Sequence, residues 1–297
     1  MAWTTNSKVM KIRRRSAPVD VIVETLDGFR RHLTGRNGAV LAYYGFLTLF
    51  PLLMAATTIL GFVLEDDPQL QADIVDSALS QIPVLGADLE PGSTIDGNWW
   101  ALVFGLGIAL WGSMKAFVGL QGALDDIWEI DVDDRANGAV RRMRALVGIA
   151  VIGVGQIGAV ALAATVSEAG VSLPGQILIT LGGLVLNVVI VGTMYRFLTS
   201  KPVTWQVIWP GALFTAALYT VLQFAGTRLV TNTLDDAESV YGTFAATLAL
   251  LSWLSLHAVI SLIGAELNAG LVRRAERSTA WLADPASAPS VAVSAEG

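Results

Sequence analysis

The chain contains no cysteine, only two histidines, and charged side chains at just 15% of its 297 positions. Without cysteine there are no disulfides, no thiolate metal sites and no cysteine nucleophile. His32 precedes the first apolar run and His257 lies deep in the last, so they form no paired-histidine motif. A P-loop lysine, a G-x-S-x-G elbow and an H-E-x-x-H segment are all missing, and with them the usual signals of ATP-driven transport, serine hydrolysis and metalloprotease chemistry. Excess cation is missing too. A formal charge of −6 argues against nucleic acid as the main partner, because phosphate binding needs clustered positive charge.

In place of charge the chain carries 54% hydrophobic residues, gathered into runs rather than spread along amphipathic elements. A hydrocarbon core needs about 20 apolar helical residues to cross it. Six such runs occur, at about 39–64, 99–122, 145–166, 177–198, 207–230 and 242–270. The first is too long for the apolar part of a signal peptide and is expected to stay in the mature protein. Basic residues orient the runs. The stretches 1–38, 123–144, 196–201 and 271–297 hold 17 of the 19 Lys and Arg, whereas 65–98, 167–176 and 231–241 hold none and carry twelve acids. Lys and Arg stay on the cytoplasmic side, which predicts cytoplasmic termini in a bacterial plasma membrane. Trp99, Trp100, Trp205 and Trp209 open the second and fifth runs, where indoles favour the interface.

The expected fold is therefore an all-α integral membrane protein with six transmembrane helices and amphipathic interfacial helices. Residues 1–38 form a basic cytoplasmic N-terminus, 39–270 the membrane domain, and 271–297 a disordered cytoplasmic tail. Ile22, Leu26, Phe29 and Leu33 recur at helical spacing and mark an interfacial helix over 18–34. Leu70, Ile74, Ala78 and Ile82 mark a second in the acidic outer loop. Either stripe could face lipid or pack on the bundle.

Gly153, Gly155 and Gly158 match the G-x-G-x-x-G spacing, but inside an apolar run and with Leu173 where a ribose-binding acid would stand. Small residues that let helices approach closely explain them better, as they do Gly105/Ala109 and Ser261/Ala265/Ala269. The acids Asp125, Asp126, Glu129, Asp131, Asp133 and Asp134 lie beside Arg135, Arg141, Arg142 and Arg144, a pattern of solvated loop charges rather than a metal site.

Polar groups inside the runs are more informative, since a charge in lipid costs at least about 2.5–3.5 kcal/mol. Candidates for a pathway or a buried polar cluster are Lys115, Glu266, Asn268, Asn187, Gln156, His257, Tyr43 and Tyr44. Lys115 could snorkel towards the interface or meet Glu266 on a neighbouring helix. His257 and Glu266 are about half a turn apart around the helix and should not line one wall. Asn187 and Gln156 suit bonding between helices. Pro51 and Pro210 are candidate bends.

Two segments, LAYYGFLTLFPLL (41–53) and SVYGTFAATLALLSWLSLHAVISLIGAELNAGL (239–271), resemble the YihY/BrkB family of bacterial inner-membrane proteins, once labelled ribonuclease BN. WGSMKAFVGLQGALDDIWEI (111–130) and PGALFTAALY (210–219) fit the same pattern, which covers most of residues 20–272. The resemblance implies a six-helix envelope protein, linked in some members to virulence or serum resistance and proposed to act in transport, with no agreed substrate or catalytic residue. The matching motif positions are Tyr43, Tyr44, Pro51, Lys115, Asp125, Pro210, Gly211, Tyr241, Gly242, Gly264, Glu266 and Asn268.

Three functional readings follow. The first is a transporter of a hydrophobic or amphipathic envelope component such as a lipid, with Lys115 and Glu266 lining or gating a cytoplasm-facing cavity. The second is a non-transporting envelope scaffold that docks periplasmic partners through loop 65–98. The third is a membrane-bound hydrolase or ribonuclease. No catalytic residue, metal ligand or cofactor is assigned, membrane lipids are the expected partners, and the small-residue faces leave both a homodimer and monomer packing open.

Overall fold

The structure, a computed structural model, describes residues 13, 16–63, 99–167, 173–241 and 243–283. The expected outer-loop stripe at 70–82 and the loop 65–98 lie outside them. The described residues form α1 (Ala17–Arg31), α2 (Thr34–Val63), α3 (Trp99–Ile127), a short 3-10 turn at Val132–Asp134, α4 (Gly138–Ser167), α5 (Leu173–Leu198), α6 (Trp205–Tyr241) and α7 (Thr243–Ala283), with no strand. The physical cause is the solvent. In hydrocarbon each unpaired backbone group costs several kcal/mol, and a helix pairs its own.

Each of the six long helices packs on the next in chain order, and α7 returns against α2, so α2 to α7 close into a ring. The outside of the ring is apolar. Phe104, Ile108 and Trp111 on α3 and Leu181, Val185 and Val189 on α5 follow near-helical spacing and stand exposed. Apolar stripes of this extent would drive association in water, whereas in lipid they are solvated. Among the described residues four helices are long and apolar enough to cross a membrane, over Val103–Ile127, Thr180–Leu198, Trp205–Gln223 and Thr247–Arg277. The expected runs at 39–64 and 145–166 are helical in α2 and α4 but do not enter that set.

Two boundaries differ from the sequence reading. α6 runs on past 230 to Tyr241, and α7 runs past 270 to Ala283, so 271–283 is helical rather than a disordered tail. The extension has a partner, for α1 packs along it. That contact also fixes which face of α1 is outward. Asp20, Val21, Val23, Glu24, Thr25 and Gly28 are buried, while Ile22, Leu26 and Leu33 are exposed. α1 docks by a face that combines its carboxylates with Val21 and Val23, and leaves Ile22, Leu26 and Leu33 of its apolar stripe outside, an arrangement that suits a membrane surface.

The tightest packing lies at one end of the ring, where Leu124 and Ile127 of α3, Tyr195 and Leu198 of α5, Ile208 and Ala212 of α6, and Leu262, Ala265 and Ala269 of α7 form one core. The start of α1, the basic α3–α4 and α5–α6 connections and the α7 extension gather at the same end.

Candidate functional site

A cavity of about 600 Å³ lies inside the ring, beside this core, and all six ring helices contribute to its wall. Leu41 of α2, Phe117 and Leu120 of α3 and Ile152 of α4 give it an apolar side. Asn187 of α5, Gln223 of α6 and His257 and Ser261 of α7 supply polar groups. Asn187 donates to the Gly183 carbonyl of its own helix at 3.1 Å. Nδ1 of His257 lies 3.0 Å from the Trp253 carbonyl, and the ring packs between Trp253 and Tyr219 at centroid distances of 4.7 and 5.0 Å. As donor to that carbonyl, His257 carries its proton on Nδ1 and presents Nε2 as an acceptor. The volume falls within the roughly 300–1,000 Å³ of small-molecule sites, and the composition, mostly apolar with a few polar groups, is typical of them.

Below the cavity, polar bonds tie the core helices together. The Tyr195 hydroxyl joins α5 to α6 through Thr215 at 2.9 Å and to α7 through the Ser261 carbonyl. Asn268 of α7 accepts from the Gly211 N–H at 2.7 Å and donates to the Ile208 carbonyl at 2.9 Å. α6 continues through Pro210, and the Asn268 amide clasps the backbone on either side of that residue. The crossing is close enough to require glycine twice. A Cβ on Gly211 would meet the Gly264 carbonyl, and one on Gly264 would meet Thr215 and Tyr195.

At the basic end a charge network locks α1 and the α3–α4 connection onto α7. Glu266 is fully buried. Its Oε1 lies 2.7 Å from His32 Nδ1 and 3.3 Å from Thr34 Oγ1, and its Oε2 lies 3.5 Å from Arg273. Arg273 also reaches Glu24 at 3.1 Å, Glu129 at 3.5 Å and the Ile127 carbonyl at 3.2 Å. Glu24 accepts further from Arg13 and Arg277, each at 2.8 Å. Asp20 pairs with Arg13 at 2.6 Å and Arg274 at 3.5 Å, and Arg31 joins Glu129 at 2.9 Å and Asp27 at 3.4 Å. Five arginines thus face five carboxylates, so the cluster is neutral when His32 is neutral. Burial pushes the Glu24 carboxyl up, but the Arg277 hydrogen bond and charge, with Arg273 and Arg13, outweigh it and hold Glu24 below the ordinary range.

A model of the virulence factor BrkB family matches residues 25–287. The chain belongs to that family. Among curated relatives, the inner membrane protein YhjD of Escherichia coli (strain K12) is 28% identical over 154 residues, 49% of this chain and 45% of YhjD. The ribonuclease-like protein YfkH of Bacillus subtilis (strain 168) is 21% identical over 265 residues, 84% of this chain and 94% of YfkH. The chain therefore spans less than half of YhjD and nearly all of YfkH. No solved structure matches.

The structure separates the residues that the sequence grouped. Lys115 is exposed on the outside of α3 with its Nζ 5.9 Å from the Trp111 ring, and Glu266 is inside the network, so the two do not meet. Asp126, near the end of α3, accepts from Arg135 at 2.8 Å. His257 lines the cavity and Glu266 does not, on different faces of α7. Asn187 also lines the cavity, Asn268 holds α6, and Tyr43 and Tyr44 pack edge to face at 5.4 Å outside the cavity wall. The Gln156 side chain lies outside the described set. α2 continues through Pro51. Of the three glycines in GVGQIG, Gly155 approaches Ile190 of α5 whereas Gly153 faces open space.

The acid run is not simply solvated. Asp125 is fully buried and accepts from the N–H and the hydroxyl of Ser200, both at 2.8 Å, fastening the α5–α6 connection. Among the described residues no group of three His, Asp or Glu could hold a metal ion.

Proposed function

We propose that the protein is a six-span protein of the bacterial inner membrane, both termini cytoplasmic, that binds a hydrophobic or amphipathic envelope component such as a lipid inside its helix ring and moves it. One observation carries this reading: the cavity of about 600 Å³ to which every ring helix contributes. Leu41, Phe117, Leu120 and Ile152 suit a hydrocarbon chain, and Asn187, His257 and Ser261 suit its polar end. The name of YhjD and the basic residues at one end support the membrane and the orientation.

The packed core and the network around Glu266 lie between the cavity and the cytoplasm. Release on that side then requires α1 and the α7 extension to part from the ring, a two-state element biased by ion pairs. Glu266 acts in this reading as part of the lock. Lys115 sits at the lipid interface beside Trp111.

Gly183 offers the test. It lines the cavity, and a Cβ there meets nothing within 4 Å, so Gly183→Phe fills the space without a clash at the first atom. Protein purified into nanodiscs is analysed by untargeted mass spectrometry for retained small molecules. The wild type is expected to enrich one lipid or glycolipid over bulk, and Gly183→Phe to lose it. Equal contents in a folded variant would remove the cavity from the function.

A further inference from the structure

A second cleft, about 310 Å³, opens at the basic end between α4, α5 and the start of α6, and shares no residue with the central cavity. Its charged lining is positive only: Arg144 of α4 and Arg196 of α5, with Thr193, Phe197 and Trp205. Both arginines differ from those of the α1 lock, since among the described residues neither pairs with a carboxylate. Arg144 spends one N–H on the Thr199 carbonyl at 3.0 Å. Arg196 lies 5.7 Å over the Trp205 ring, which holds the guanidinium in place while leaving its donors free. The nearby carboxylate Asp125 is fully buried behind Ser200, a residue of the cleft wall, which occupies both its oxygens.

The surroundings indicate what kind of anion fits. Trp205 opens α6, so the positive end of that helix dipole adds to the two guanidinium charges. Phe197 and Trp205 are partly exposed at the rim, and Trp209 and Leu213 continue the Trp205 face along α6, all exposed. Charge in the cleft and an apolar track leading from it along a membrane helix match an anion that carries a hydrocarbon chain. Basic clefts between helices at the cytoplasmic surface bind acidic headgroups by this chemistry.

We infer that the Arg144–Arg196 cleft binds a phosphate monoanion or diester, held by both guanidiniums, and that its natural source is an anionic phospholipid whose chains lie along Trp205, Trp209 and Leu213. This site is independent of what fills the central cavity.

The test titrates delipidated full-length protein with phosphatidylglycerol, phosphatidylcholine or water-soluble glycerol phosphate and counts bound molecules by native mass spectrometry. Phosphatidylglycerol is expected to bind in preference to phosphatidylcholine. Arg196→Gln, which breaks no hydrogen bond among the described residues, should weaken it about tenfold with an unchanged thermal midpoint, the loss of charge-assisted bonds to one phosphate. Arg144→Gln should add to that loss, and Arg196→Lys should restore part of it. Arg142→Gln, an exposed charge on α4 outside the cleft, should change nothing. Glycerol phosphate binding as tightly as the lipid would assign the site to soluble phosphates, and weak competition would assign it to lipid. Equal binding of both lipids, no effect of Arg196→Gln, or an equal effect of Arg142→Gln would overturn the inference.

Discussion

His32 and Glu266 meet at 2.7 Å, Nδ1 to Oε1, at the joint where α1 turns into α2 against α7. Glu266 is fully buried and held also by Thr34 and Arg273, so removing it takes the acceptor from His32 and Thr34, while Arg273 keeps Glu24 and Glu129. Glu266→Ala is expected to cost about 1–3 kcal/mol, as leaving buried donors without their acceptor does. Glu266→Gln should cost clearly less, because the amide oxygen still accepts from His32 and Thr34. Denaturation in detergent measures both, and an Ala variant as stable as the wild type would show that the pair holds nothing.

Gly28 sets how closely α1 approaches α7, because a Cβ there would strike the Glu266 carboxylate and lie 3.2 Å from Arg273. Gly28→Ala should loosen the docking. Crosslinking reads it directly in a chain with no native cysteine: Thr25→Cys and Gly270→Cys place thiols in contact, since a Cβ on Gly270 lies 3.4 Å from Thr25 Oγ1. The disulfide should form readily in the otherwise unchanged chain and far less in the presence of Gly28→Ala. Equal yields would mean that α1 tolerates the extra carbon.

The docking itself should depend on pH, read as the separation of spin labels on α1 and the α7 extension, because disulfide formation slows in acid for its own reasons. Glu24 is held below its ordinary value against the opposing effect of burial, by Arg277 first and then Arg273 and Arg13. A group depressed in the docked state stabilises fully above its free value, about 4.3 for Glu, and the stabilisation disappears as pH falls through the lower docked value. The separation should stay constant from neutral pH to about 5 and grow below about 4, with Glu24→Gln already increasing it at neutral pH. A wild-type profile that stays level into strong acid would contradict this role.

Asn268→Ala leaves the Gly211 N–H and the Ile208 carbonyl without their partner beside Pro210, which should cost about 1–3 kcal/mol. Asn268→Asp keeps the acceptor for Gly211 but loses the donor to Ile208, and should be no better. Thermal unfolding separates these from Asn187→Ala, whose amide bonds only its own helix and should matter little.

The apolar runs were long and uncharged enough to reveal the helices, their order and the membrane as solvent. Ring closure was not visible in them. It brings Glu266 to His32 and Thr34, more than two hundred residues earlier, and turns Lys115 outward. Asp125 looked like one charge among many in a polar connection, but Ser200, 75 residues on, buries it. Gly28 carried no signal as a contact residue, since its neighbour belongs to the far end of the chain. In the sequence the arginines past 270 carry only an orientation signal; the fold pairs them with Asp20 and Glu24. His257 and Asn187 stand out as intramembrane polar groups because their cost in lipid is legible from sequence alone.

The most direct test of the cavity is labelling of single cysteines in membrane vesicles. Asn187→Cys lies on the cavity wall, and Leu181→Cys lies on the lipid face of the same helix. The predicted result is that a small maleimide reacts at 187 and not at 181, that added envelope lipid extract protects 187, and that Gly183→Phe abolishes the reaction. Equal reaction at both positions, or reaction at 187 unchanged by Gly183→Phe, would contradict a ligand-accessible cavity inside the ring.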